Sequence, residues 1–388
     1  MSAITKEAVE ELRAQLHETW RIRGWHRRAS ADAIWHFALG VGDDNPLWWD
    51  RSYRPLSAGH LRFAPPAFLY SCQGAPVPEI HDSGDTSSVP WLPPGTGDWL
   101  PGVGGLWAGD RWLFHDRIYL DEEISGVAEL WDIREVEGDF AGPSVYHTTK
   151  GTFRGTDGRV LAEHFRTLIR IDLDAAKAAP EYASIDMPVY SAEDRENLQI
   201  QYLKEAGQRR GADVRYAEDV AKGDVIPGLL KGPLTLTSLL TWCAGAGSSF
   251  CLTDRMRAAY VDQHPDTEMV HPTYGYPDTL EGTHFEEAFA QGRGMPRGYD
   301  FGGQRISWFA HMLSDWYGDD GDLAELEIRL RRPNLLGDTQ WLSGTVSNVT
   351  VEGERGRVSF ELQSKNQRGE VTSQGRATVL LASRSAPG

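Results

Sequence analysis

Gly42-Asp43-Asp44-Asn45-Pro46-Leu47-Trp48-Trp49-Asp50 closes a short apolar run and opens a turn. Upstream, residues 31–40 place Ile34, Phe37 and Ala38 on one helical face, with Ser30 where an N-cap belongs. A residue that precedes proline is pushed out of the α region, so Asn45-Pro46 ends this helix and turns the chain at Asp43. A carboxylate and a carboxamide are thereby fixed at a helix end, which suits general acid/base work on a small substrate. The same residues also make an Asx-turn, in which Asp43 and Asn45 bond only the local backbone. Both readings stand on pattern alone.

Around this stretch lie 388 residues with a formal charge of −17. The length predicts two or three domains and enough buried surface for a core. The acidity argues against nucleic acid or an anionic membrane as the main partner. A local group of arginines or backbone amides could still hold a phosphate. Cys72, Cys243 and Cys251 form no CxxC and cannot all pair, which points to a reducing cytoplasm and gives no readable zinc site. Residues 4–25 mix charge with Leu and Trp and lack the apolar run of a signal peptide or membrane span, so a soluble protein is expected.

Val9, Leu12, Leu16 and Trp20 recur at helical spacing and predict an amphipathic helix over 4–25. Pro65-Pro66 before an apolar run predicts a second helix start. His60, just ahead of it, is a candidate proton carrier, or an ordinary surface or core histidine. Residues 73–110, rich in Gly, Pro, Ser and Trp, read as a lid, a binding loop or an insertion. Strand-like runs follow at 111–120, 126–135, 144–154 and 159–171, with a hairpin signal at Asp157-Gly158. A helix followed by antiparallel strands predicts the α+β class.

Residues 172–222 read as a connector, helical from Ser191 to about Arg210. The plan then repeats. Residues 235–247 align with 30–42 at an offset of about 205, pairing Phe37 with Trp242, Gly40 with Gly245 and Gly42 with Gly247. Asp43 meets Ser248 in this alignment, so the second copy has no carboxylate there. Strands are expected again at 341–352, 357–366 and 370–381.

The Gly42–Leu47 stretch resembles the hydratase-2 signature of the MaoC-like dehydratases, G-D-x-N-P-x-H. These are hot-dog folds that add water to, or remove it from, acyl thioesters of coenzyme A or acyl carrier protein. Asp43 and Asn45 match, whereas Trp48 stands where the family has histidine. In the family that histidine is followed two positions on by an acidic residue, then by Ala and Gly. His284, Glu286, Ala290 and Gly292 or Gly294 resemble this tail, with Asp278 six residues ahead of His284 where the family spacing is five.

The resemblance implies a double hot-dog: an N-terminal unit over 1–171, the connector over 172–222 and a C-terminal unit over 223–388. It further implies that Asp43 or Asp278 orients or deprotonates water, that His284 shuttles the proton, and that Asn45 positions the water or the carbonyl. Residues 298–313 then read as a glycine-rich turn entering the second central helix. There Tyr299 and Arg305 are candidate substrate contacts, and the Gly302 and Gly303 amides are candidate donors to the thioester carbonyl. His311, inside that helix, is expected to pack.

Hydration of a 2-enoyl-CoA, or dehydration of a 3-hydroxyacyl-CoA, is the expected activity. The coenzyme A thioester is the substrate, and neither metal nor further cofactor is expected. The 14 tryptophans suggest a bulky or ring-bearing acyl group. An acyl-CoA thioesterase is the competing enzyme class. A degenerate subunit, binding acyl-CoA and completing a partner's site, is the non-enzymatic reading. A homodimer or a MaoC-like partner subunit is compatible with either.

Overall fold

The computed structural model describes residues 4–53, 62–74, 100, 103–138, 142–172, 182, 185–352 and 355–384. The chain opens with helix α1 (Lys6–Arg13) and edge strand β1 (Thr19–Arg21). The helix expected over 4–25 is therefore cut short. His17 takes a positive φ of 66°, and Trp20 enters a strand paired with Ala128.

Helix α2 (Ala31–Val41) is capped by the Ser30 hydroxyl, which accepts from the Ala33 N–H. Gly42 ends it in the left-handed conformation (φ 67°), which glycine reaches without a Cβ penalty. Asn45 then caps the short helix α3 (Pro46–Trp49). The expected second helix is a 3-10 turn, Pro66–Cys72, buried from Ala67 onward. Strands β2 (Gly104–Phe114), β3 (Ser125–Gly138), β4 (Gly142–Arg154) and β5 (Val160–Ile171) complete the first unit.

The connector contributes helix α4 (Ala192–Ala206), and the second unit starts with β6 (Val225–Lys231). Helix α5 (Leu236–Ala246), capped by Thr235, packs against α2 as the repeat requires. Gly245 lies against the His36 carbonyl, so close that a Cβ would come within 2.2 Å of its oxygen. Helix α6 (Asp254–Gln263), a small hairpin of β7 (Met269–Val270) with β8 (Pro277–Asp278), and helices α7 (Gly282–Phe285) and α8 (Glu287–Gln291) form an excursion. Helix α9 (Gly302–Tyr317) and strands β9 (Asp322–Leu330), β10 (Gln340–Glu352), β11 (Arg355–Asn366) and β12 (Val371–Ala382) close the chain.

Ten strands form one sheet, ordered β1-β3-β4-β5-β2-β9-β12-β11-β10-β6. Each half of that order repeats the other about the β2–β9 seam, where Arg111 pairs with Glu327. This is the expected α+β double hot-dog. Helix α9 is the buried axle: fifteen of its sixteen residues are buried, including Gln304, Arg305, Ser307, His311 and Ser314. Polar groups buried this deeply need partners, and the partners separate structure from site. No helix among the described residues is long and apolar enough to cross a membrane.

Candidate active site at the junction of the two units

The turn at Asp43 faces the second unit, against the middle of α9. The Asp43 carboxylate is buried and accepts from the Asn45 backbone N–H at 3.0 Å and from the Trp48 indole N–H at 2.8 Å. Trp48, standing where the family motif has histidine, is thus a fixed donor to the carboxylate. Asn45 uses its side-chain oxygen to accept the Leu47 N–H, so the Asx-turn expected as one alternative is present. One lone pair of that oxygen is thereby used.

The imidazole beside Asp43 belongs to His311. Its Nε2 lies 3.4 Å from Asp43 Oδ1 and 3.3 Å from Asp315 Oδ2, one turn along α9. Neither contact has hydrogen-bond geometry, and Nε2 is buried without a hydrogen-bond partner. On the other side of the ring, Lys231 Nζ lies 2.9 Å from Nδ1. Lys231 also donates to the carbonyls of Val41 (3.0 Å) and Gly42 (2.8 Å), so its three N–H groups have three acceptors. Burial pushes the Lys231 ammonium down to about 8, against the pull of Asp43, Asp315, Asp44 and Glu205. Arg209 reaches Asp315 at 2.8 Å and also pairs with Asp44, tying the connector to the loop. Burial pushes the Asp315 carboxyl up, but His311 and Arg209 beside it hold it below its ordinary value.

Asp43, His311 and Asp315 each offer a ligand atom within 4.8 Å of the others, a spacing a cation could use. The Lys231 ammonium and Arg209 guanidinium already balance the two carboxylates, so this donor set does not fit a metal ion.

Asp43, His311, Ser307 and Ser314, with Phe37, Ala38, Val41, Pro65, Pro66, Ala67 and Ala310, enclose a cavity of about 10 Å³. That is close to the room needed by one water molecule, and its wall is polar enough to hold one. Ser307 and Ser314 donate their hydroxyl protons to carbonyls on α9, which leaves their oxygens as acceptors. A groove of about 560 Å³ shares Pro66 with this cavity and runs past Leu47, Arg62, Phe63, Arg117 and Tyr317.

The other expected site residues lie elsewhere. His284 does not meet Asp43. Its ring stacks on Phe301 at 3.9 Å, beside the first residue of α9, and its Nδ1–H donates to the Tyr299 carbonyl at 2.8 Å. Ten residues of helix separate Phe301 from His311, about 15 Å at the usual rise. Burial pushes the His284 imidazole down to about 4. Asp278 makes no ion pair with His284 among the described residues; Glu281, 3.8 Å away, is the acid beside it.

Arg305 is not free to meet a ligand. It makes a bidentate pair with Asp300 and donates to the Arg332 carbonyl at 2.7 Å, all within the core. Gly302 and Gly303 are explained by packing: a Cβ would come within 2.4 Å of the Trp107 ring at Gly302 and 3.0 Å of Tyr70 at Gly303. Their amides lie two helical turns or more from His311, too far to serve a thioester held there. The Tyr299 hydroxyl is paired with Thr283 at 3.2 Å. His60 lies outside the described residues.

The residues missed in sequence were Lys231 and Asp315, and His311 was read as packing. One signal was available: His311 and Asp315 stand four apart on a helix otherwise fit for burial, hence on one face.

Comparisons with known proteins agree with this architecture. Residues 17–164 match a family model described as the FAS1-like dehydratase domain region. A structure described as a MaoC-like dehydratase superposes with a TM-score of 0.60 at 18% identity, over 96% of this chain and 99% of that one. A putative MaoC domain protein dehydratase from Chloroflexus aurantiacus gives a TM-score of 0.51 at 14% identity, over 95% and 96%. A conserved hypothetical protein from Mycobacterium tuberculosis, described as a double hot-dog fold, gives 0.51 at 10% identity, over 94% and 96%. A search of curated proteins finds no match. The chain is thus similar to a dehydratase domain region over residues 17–164 and has the double hot-dog fold along its length.

Proposed function

We infer that this chain hydrates a 2-enoyl thioester of coenzyme A, or dehydrates the 3-hydroxyacyl thioester, at Asp43 and His311. The observation that carries this reading is the water-sized cavity bounded by a buried carboxylate and an imidazole nitrogen that has no hydrogen-bond partner. In the hydration direction the water oxygen bonds to Cβ and its proton passes to Asp43. The electron pair of the double bond moves onto the thioester as an enolate, and Cα then takes a proton from His311 Nε2. The proton on Asp43 returns to Nε2 across the 3.4 Å between them, which restores the site. The groove beyond Pro66 is of a size that suits the acyl thioester.

A second reading has its own observation. Trp48 holds one oxygen of Asp43 where the family signature has a histidine, as expected of a subunit that binds acyl-CoA and leaves chemistry to a partner. The test is a series of 2-enoyl-CoAs, from crotonyl to ring-bearing acyl groups, offered to the purified protein. Loss of enoyl-thioester absorbance without thiol release is the expected result. Thiol release would identify a thioesterase, and binding without turnover would favour the partner-dependent subunit.

A further inference from the structure

Lys231 stands at the end of β6, an edge strand of the second unit, yet its ammonium group reaches the first unit's turn. Each of its N–H groups has one acceptor: the Val41 carbonyl, the Gly42 carbonyl and His311 Nδ1. An ammonium group only donates. Nδ1 facing it must therefore present its lone pair, and a neutral imidazole then carries its proton on Nε2.

We propose that Lys231 is the positioning residue of this site: it fixes His311 as the Nε2–H form and passes a proton to Nδ1 as Nε2 gives one up. The proposal rests on the hydratase reading and extends it. A neutral imidazole that lost its Nε2 proton with nothing gained at Nδ1 would become an anion, an unfavourable product in a buried site. With Lys231 as donor, the N–H bond at Nζ breaks and one forms at Nδ1. The products are a neutral amine and a neutral imidazole of the other tautomer. When Asp43 returns its proton to Nε2, Nδ1 returns one to Nζ and the cycle balances.

The surroundings suit this role. Lys231 is faced by Asp43 and Asp44 from the turn, His311 and Asp315 from α9, and Glu205 from α4, with Arg209 closing the cluster. Burial outweighs these acids and brings the ammonium down to about 8, so it is charged at neutral pH and near enough to donate. Turnover should therefore fall as pH rises through about 8.

Nitrogen-15 NMR of histidine-labelled full-length protein tests the proposal without reference to activity. The His311 signals are assigned by their loss in His311→Gln. At pH 7 the expected pattern is protonated Nε2 and unprotonated Nδ1, with an Nδ1 shift that moves as Lys231 titrates near pH 8. In Lys231→Met the tautomers should mix, kcat should fall about a hundredfold with KM nearly unchanged, and the alkaline limb should disappear. Protonated Nδ1 in the wild type, or an Nδ1 signal flat from pH 7 to 9.5, overturns the proposal even if the variant fails to fold. The expected NMR pattern with no turnover of any enoyl-CoA would instead remove the hydratase reading and leave the tautomer assignment standing.

Discussion

Two buried Asp–His pairs lie among the described residues, and they differ in what is left unsatisfied. Asp110 and His164, on neighbouring strands β2 and β5, meet at 2.8 Å. Asp110 also accepts from the Tyr70 hydroxyl at 2.5 Å and the Trp107 indole at 2.6 Å, and Trp112 stacks on His164 at 3.8 Å. Burial pushes the Asp110 carboxyl up, but His164 and Arg166 hold it below its ordinary value. Asp43 and His311, brought together from the two units, stand 3.4 Å apart without hydrogen-bond alignment and border a water-sized space. A closed pair of this kind is part of the framework, while an open one has capacity left for a ligand.

The sharpest break between the two pairs should come from neutralising each acid. Asp43→Asn should fold and lose about 10²–10⁴-fold in kcat on the enoyl-CoA that the wild type turns over, the usual range for a general base. Activity near wild type would remove Asp43 from the mechanism. Asp110→Ala should cost about 3–5 kcal/mol of stability, read as a lowered urea midpoint, because it leaves His164 and two donors buried without their acceptor. The activity of its folded fraction should be close to wild type; a loss as large as that of Asp43→Asn would make the pairs equivalent.

Trp48→Phe is a milder probe of the open pair. It removes the indole donor from Asp43, with an expected cost of about 1–3 kcal/mol from the unsatisfied buried oxygen. Turnover should fall less than in Asp43→Asn, since the carboxylate keeps the Asn45 N–H donor and loses one positioning hydrogen bond. Unchanged turnover would mean that Trp48 only packs.

The smallest effect concerns the half-buried imidazole of His284. His284 has a folded-state value near 4, below its ordinary 6.5, so the unfolded chain binds its proton first. Its contribution is complete above about 6.5 and lost as pH falls towards 4. Glu281 beside it has the opposite sign: burial raises its carboxyl to about 8, so its contribution declines as pH rises from 4.5 to 8. Urea midpoints should therefore decline between pH 6.5 and 8, where only Glu281 changes of the two, and Glu281→Gln should flatten that decline. An equal slope in the variant would assign it to other groups.

Local chemistry made most of the fold legible. Ser30 and Thr235 are capping residues at equivalent places, and both cap helices. Period-two patterns marked the strands, although the first began at Gly104, inside the glycine-rich stretch that composition marks as loop. The error over 4–25 has a tertiary cause: Trp20 is equally spaced for a helix and for an edge strand, and pairing with β3 settled it. Arg305 looked like a ligand contact because a lone arginine at a helix start often is one. Its partner Asp300 was in view five residues away, but sequence does not say which of two near charges turns inward.

The sequence by itself determined the two-unit plan, the turn that presents Asp43 and the absence of a histidine from that turn, since capping, proline geometry and strand alternation act over a few residues. Only the tertiary structure decided which imidazole stands beside Asp43. His284 and His311 lie 27 positions apart in the chain, the first half-buried and the second buried. Their roles divide because the pseudo-symmetric docking of the two units sets the middle of α9, rather than its start, against the Asp43 turn, and brings Lys231 in from a distant edge strand. Such contacts depend on how the two halves of one sheet pack on a buried helix, a property of packing that no short window of sequence contains.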